Sequence, residues 1–92
     1  VGSFSYNRND LHLSNSLKWA IMDNCKAGKY TKFGRYTVQS LETIDGYKYH
    51  LSDNEWLMIR PSGTEPVLRV YAEAPSPEGV EAILSDVKAV LL

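Results

Sequence analysis

Cysteine is nearly absent from this sequence: Cys25 stands alone, so neither an internal disulfide nor a cysteine-built zinc site is possible within the chain. A reducing, cytoplasmic setting is the expectation. Histidine is as sparse. His12 and His50 lie far apart with no second ligand at metal spacing, so both read as surface or strand residues. No metal and no cofactor is therefore expected to bind this chain. No apolar run approaches the roughly 18 residues of a membrane span, and no charged-apolar-small signal sequence opens the chain, which excludes a membrane partner from the reading. A basic excess is missing too. Ten Lys and Arg face eleven Asp and Glu, a net charge of −1, whereas binding a nucleic-acid backbone needs a positive surplus. The opening Val1-Gly2-Ser3 lacks an initiator methionine and reads as the start of an excised or processed piece.

What is present suffices for one core. A hydrophobic share of 43% over 92 residues can offset chain entropy, which excludes a disordered tail. The same length is too short for two domains and offers little wall for enclosing a substrate. Charge is unevenly spread. Between Lys18 and Lys48 six basic residues face three acids, while from Tyr49 onward Arg60, Arg69 and Lys88 face seven. Each basic residue of the second half therefore stands out.

Residues 1–13 are polar and irregular in pattern and read as a lead-in or linker, with one domain over 14–92. Ser14 or Asn15 can cap a helix running to about Ala27, with Leu17, Ile21 and Asn24 or Cys25 recurring at helical spacing and Gly28 as the stop. Cys25 then serves as a small core residue. The basic run Lys26, Lys29, Lys32 and Arg35, interleaved with Tyr30 and Phe33, reads as a solvated connector. From Tyr36 the period changes to two. A strand to about Thr43 meets the hairpin signal Asp45-Gly46, and Tyr47 to Leu51 returns as its partner. Ser52-Asp53-Asn54 turns into a strand from Trp56 to Arg60, and a fourth runs from Val67 to Ala74. Ser76-Pro77 starts a second helix with an apolar stripe of Val80, Ile83, Leu84, Val87 and Leu91. The fold class is α+β, a four-stranded antiparallel sheet with helices packed on one face. Tyr36, Tyr47, Tyr49 and Trp56 are expected on its open face.

Alternation puts Leu57, Ile59, Leu68, Val70 and Ala72 toward the helices and Trp56, Met58, Arg60, Val67, Arg69 and Tyr71 on the opposite face. If Ile59 faces Leu68, Arg60 and Arg69 become diagonal neighbours roughly 7–8 Å apart, and an anion between them relieves their repulsion. The loop joining these strands, Arg60-Pro61-Ser62-Gly63-Thr64-Glu65-Pro66, has the residue types of an anion site. Arg60 and Arg69 offer planar forks of donors, Ser62 and Thr64 hydroxyls, and Gly63 a backbone open to close approach. Pro61 and Pro66 stiffen the loop, and Glu65, repelled by phosphate, fits a loop-shaping role paired with an arginine. The same residues also make ordinary turns. Nothing here pairs a nucleophile with a base.

The run from Trp56 to Ala74 resembles the phosphate-binding loop and following strand of the alpha-D-phosphohexomutases, which include phosphoglucomutase, phosphomannomutase/phosphoglucomutase and phosphoglucosamine mutase. The element order around it resembles that family's C-terminal fourth domain. The resemblance implies a TATA-box-binding-protein-like α+β fold serving as a mobile lid, whose loop holds the non-reacting phosphate of a hexose phosphate. It further implies Arg60, Ser62, Gly63, Thr64 and Arg69 as the phosphate contacts. The parent reaction needs a phosphoserine, an Mg²⁺ loop and a sugar-selecting loop, none of which occurs in this sequence. No catalytic residue is assigned, and the chain is expected to be inactive without the other domains of its parent. Pro61 favours phosphomannomutase/phosphoglucomutase over phosphoglucosamine mutase. A competing reading is a free-standing module that offers its sheet face to a protein or nucleic acid.

Overall fold

The structure, a computed structural model, describes residues 5–44 and 46–92. Its elements are β1 (Ser5–His12), α1 (Asn15–Lys26), β2 (Lys32–Phe33), β3 (Tyr36–Thr37), β4 (Ser40–Glu42), β5 (Tyr47–Ser52), β6 (Glu55–Pro61), β7 (Val67–Ala74) and α2 (Pro77–Leu91). Five strands form one antiparallel sheet in the order β1-β7-β6-β5-β4, and β2 and β3 pair separately. The α+β class holds, with helices on one face, but the sheet has five strands rather than four.

The additional strand is β1. Residues 5–12, expected to be irregular, pair with β7 along their whole length, from Ser5 opposite Ala74 to His12 opposite Val67. Pattern could not announce this strand, because the positions opposite β7's buried residues are Ser5, Asn7, Asn9, Leu11 and His12. Only Leu11 is apolar and buried. Partner pairing, not its own alternation, makes it a strand. The segment expected as one strand from Tyr36 to Thr43 is broken into β3 and β4. Asp45 of the expected hairpin turn lies outside the described residues. Gly46 has φ +123°, and a Cβ there would come within 3.0 Å of the Ile59 carbonyl oxygen, so the turn needs glycine.

Both helices form as their caps dictate. Ser14 Oγ accepts from the Leu17 N–H and Ser76 Oγ from the Gly79 N–H, with Pro77 in the first turn of α2. In α2 the buried residues are Val80, Ile83, Leu84, Val87 and Leu91, the stripe expected. In α1 the buried face is rotated from expectation: it holds Lys18, Ile21, Met22 and Cys25, while Leu17 is exposed. The helices close over Leu57, Ile59, Leu68, Val70 and Ala72 of the sheet in one apolar cluster. Tyr49 belongs to that cluster, so it is not on the open face. Tyr36 and Tyr47 also pack against the cluster, leaving Trp56 as the one expected aromatic away from it. Trp56 meets Tyr6, whose ring in turn lies 6.2 Å from that of Tyr71.

Candidate phosphate-binding loop

The β6–β7 register decides the geometry of the loop. Ile59 faces Val70 rather than Leu68, a two-residue displacement from the expected pairing. An even displacement keeps every side chain on its face, so the inside–outside assignment survives. The arginines, however, move from diagonal to direct opposition, Arg60 facing Arg69 across the ladder. Directly opposed side chains have Cβ atoms about 4.5–5.5 Å apart, and like charges there repel. On its other side Arg69 faces Asp10 of β1, whose carboxylate is engaged by Arg8 Nε at 3.1 Å. Arg69 Nε is buried and has no hydrogen-bond partner among the described residues. A buried, unpaired donor on a guanidinium is costly unless an acceptor arrives.

Beyond the last rung, Pro61 opposite Leu68, the Ser62 N–H donates to the Val67 carbonyl at 3.0 Å and closes a tight loop over residues 63–66. Ser62 is buried, and its Oγ accepts from the Glu65 N–H at 3.3 Å, leaving the hydroxyl proton free to donate. Gly63, Thr64, Glu65 and Pro66 are exposed. Glu65 shapes the loop through its backbone, accepting from the Val67 N–H at 2.7 Å. The expected pairing of its carboxylate with an arginine is not made. The ion pairs of the described residues are Arg8–Asp10, Arg35–Asp86 and His50–Glu42. Gly63 does not adopt positive φ, and a Cβ there meets open space, so glycine is not demanded by the loop's own conformation.

One residue at the loop escaped sequence reasoning. Lys18 is only 2% exposed, and its Nζ donates to the carbonyl oxygens of Ser62 and Glu65, each at 2.9 Å. Its signal was legible in principle. Lys18, Ile21, Met22 and Cys25 recur at i, i+3, i+4 and i+7, a buried face with a cation at its first position. Beside Arg60, on the open face, a pocket of about 290 Å³ is lined by Glu42, Ile44, Gly46, Lys48, Met58 and Arg60. Lys48 reaches over the Trp56 ring at 4.4 Å, and Glu42 is paired with His50 Nε2 at 2.7 Å. Among the described residues no three His, Cys, Asp or Glu side chains gather as metal ligands. No helix of the described residues is long and apolar enough to cross a membrane.

Fold and loop together define an α+β domain whose distinguishing feature is a proline-bounded hairpin loop set between two opposed arginines. Residues 17–90 match the family described as phosphoglucomutase/phosphomannomutase, C-terminal domain, and the chain belongs to that family. It is 46% identical over 68 residues to a phosphoglucosamine mutase of Methanocaldococcus jannaschii, a match covering 65% of this chain and 15% of that protein. It is 36% identical over 67 residues to a phosphomannomutase of Salmonella muenchen, covering 68% and 14%. A phosphopentomutase of Thermococcus kodakarensis is 51% identical over 39 residues, covering 42% and 9%. Among solved structures, a phosphoglucomutase/phosphomannomutase family protein of Burkholderia thailandensis superposes with a TM-score of 0.60 at 25% identity, covering 99% of this chain and 17% of that one. The chain thus spans less than a fifth of the length of these relatives. Their names range over four kinds of sugar phosphate.

Proposed function

We propose that this chain is the lid domain of a phosphohexomutase-type isomerase and grips the non-reacting phosphate of a hexose phosphate. The grip comprises Arg60, Ser62, Gly63, Thr64 and Arg69, with Pro61, Glu65 and Pro66 shaping the loop. The observation that carries this reading is the direct opposition of Arg60 and Arg69 at the root of the loop, with the buried Nε of Arg69 unpartnered. Two guanidinium groups held that close are poised for a divalent anion, which each can meet with paired N–H donors. Ser62 and Thr64 add hydroxyl donors, and Gly63 an exposed N–H. Such a set recognises phosphate with little dependence on which sugar carbon carries it. An isomerase that must hold its bisphosphate intermediate in two orientations needs that tolerance. Closing the domain over the site would also exclude water from the phosphoryl group in transit.

Within the parent, other domains supply the phosphoserine, the Mg²⁺ and the choice of sugar. This chain supplies binding and enclosure, and by itself catalyses no transfer. The relatives' names leave glucose, glucosamine, mannose and pentose phosphates as candidate substrates of the parent.

The test is amide NMR of the ¹⁵N-labelled chain during addition of phosphate and then glucose 1-phosphate. One loop supplies part of a full site, so millimolar affinity is expected, about −4 kcal/mol. Shift changes centred on residues 60–65 and on Arg69 support the grip. Binding that shifts amides elsewhere on the sheet and spares this loop overturns it.

A further inference from the structure

Lys18 lies behind the loop, on the far side of its backbone from solvent, and this position has a directional consequence. We propose that Lys18 is the positioning residue of the phosphate grip: by binding two loop carbonyls from inside, it turns the Gly63 N–H outward and holds it there. This inference rests on the reading of the loop as a phosphate site and adds a residue outside the loop to it.

Peptide geometry sets the direction. The Ser62 carbonyl and the Gly63 N–H belong to the same peptide unit, and the described chain contains no cis peptide bond. In a trans unit the C=O and N–H point in opposite directions. With the Ser62 oxygen fixed on Lys18 Nζ at 2.9 Å, the Gly63 N–H must point away from Lys18. Among the described residues that N–H has no hydrogen-bond partner. The second bond, to the Glu65 carbonyl, fixes the far end of the turn, where Pro66 has no N–H to be oriented. The ammonium thus gathers the negative ends of two peptide dipoles on the inside, leaving a donor presented on the outside. The arrangement is a two-point tether of a four-residue turn, costly to build because it buries a charge, a cost that packing alone does not require. A methionine would fill the same buried position, beside the Trp19 ring that Lys18 Nζ approaches to 4.7 Å, without burying a charge. Lys18 does not touch the anion. It acts through the loop.

The experiment compares the wild-type 92-residue chain with Lys18→Met and Lys18→Arg, each titrated with inorganic phosphate and followed by amide NMR. Methionine keeps the stem and removes the donors; arginine keeps charge and donors. Lys18→Met is expected to retain the dispersed spectrum of β6 and β7, to lose the phosphate-induced shift of Gly63, and to bind phosphate about tenfold or more weakly, the scale of one charge-assisted contact. Lys18→Arg is expected to recover much of that loss. A merely structural lysine would move stability without selectively silencing Gly63. If Lys18→Met does not fold, amide exchange in the wild type decides. The Gly63 N–H should exchange freely without phosphate and slow on its addition, and a Gly63 N–H protected in the absence of phosphate overturns the proposal. Equal phosphate affinity and an unchanged Gly63 response in Lys18→Met overturn it as well. Failure of the wild type itself to respond at this loop would count against the phosphate reading instead, so the two failures are distinguishable.

Discussion

Replacing Arg60 with glutamine should move stability and ligand affinity in opposite directions, because the two arginines oppose each other only while no anion lies between them. Arg60 is exposed and faces Arg69, and on the β5 side its neighbour is the uncharged Gly46. Removing its charge therefore sacrifices no ion pair among the described residues. Taking a separation of about 6 Å for the two charged groups, Coulomb repulsion is about 0.7 kcal/mol in a water-like dielectric and about 2.8 kcal/mol at an effective dielectric of 20. Exposure of Arg60 and screening by salt place the net effect near the lower figure. Arg60→Gln should thus unfold at an equal or slightly higher urea concentration, by up to about 0.7 kcal/mol without phosphate. Against phosphate the sign reverses. Loss of a charge-assisted contact costs about 1.5–3 kcal/mol, which is roughly 10- to 150-fold in affinity.

The assay is urea unfolding at matched ionic strength, in chloride and in phosphate. For the wild type, phosphate at about 100 times its Kd adds about 2.7 kcal/mol by mass action. At the same concentration the variant, weakened 10- to 150-fold, should gain only about 0.3–1.4 kcal/mol. A variant destabilised by more than about 1 kcal/mol in chloride would show that Arg60 holds the fold, contrary to the repulsion argued from its position. Phosphate affinity retained within about threefold would remove Arg60 from the grip.

Gly63→Val should leave the unfolding midpoint within about 0.5 kcal/mol of wild type, since a Cβ there meets open space, yet weaken phosphate binding by crowding the exposed N–H; a midpoint shift without a binding defect would contradict this. Ile83→Ala, at a fully buried position of α2, should cost about 2–5 kcal/mol in urea unfolding, a large share of a small domain's stability. The Asp86 carboxyl accepts from the Arg35 N–H at 3.1 Å and from its Nε at 3.0 Å, and the backbone bond chiefly, then the side chain, holds its pKa below the usual carboxylate range. A pKa lowered by folding stabilises the fold above the unfolded value, near 3.9, and the contribution disappears as pH falls through the folded value. Asp86→Asn should therefore be less stable at pH 7 and approach wild type as pH falls through the lowered folded value, as read from urea midpoints across pH. Gly34→Ala should strike the same contact harder, because φ there is +59° and a Cβ would lie 2.6 Å from the Asp86 carboxylate; thermal unfolding of that variant checks it.

How much of this was legible in the sequence follows from where local pattern and tertiary partner agree. In α2 the five apolar residues recur at helical spacing behind a Ser-Pro start, so pattern and packing coincide. In β6 and β7 the two-residue period put Leu57, Ile59, Leu68, Val70 and Ala72 in the core as observed, because period-two alternation is insensitive to an even displacement, whereas Val67, expected on the open face, is buried. The pairing partner was beyond reach for the same reason, and with it the direct opposition of Arg60 and Arg69. The Trp56–Ala74 run carried the family resemblance that the match over residues 17–90 bears out. In α1 Ile21 and Cys25 are buried as expected, but the stripe begins at Lys18 rather than Leu17, since a lysine at its first inward site reads as surface until its two carbonyl partners, more than 40 residues away, are known. Strand β1 was hidden altogether, because its inward positions other than Leu11 are polar and its pairing is supplied by β7.

That first strand also bears on where the domain can safely be cut. The region shared with the family begins at residue 17, so a chain trimmed to it would lack residues 5–12 and leave β7 without a neighbour on one side. Its backbone donors and acceptors from Val67 to Ala74 would then form an open ladder carrying Val67, Leu68, Val70 and Tyr71, a segment of high β-propensity. Such a rim invites pairing with the same rim of another molecule. The polar, charged sequence Ser5–His12 is the natural guard against that, capping the sheet with a strand whose own outer edge is unattractive to a further one. Solubility of this domain therefore depends on eight residues that contribute almost nothing to its core.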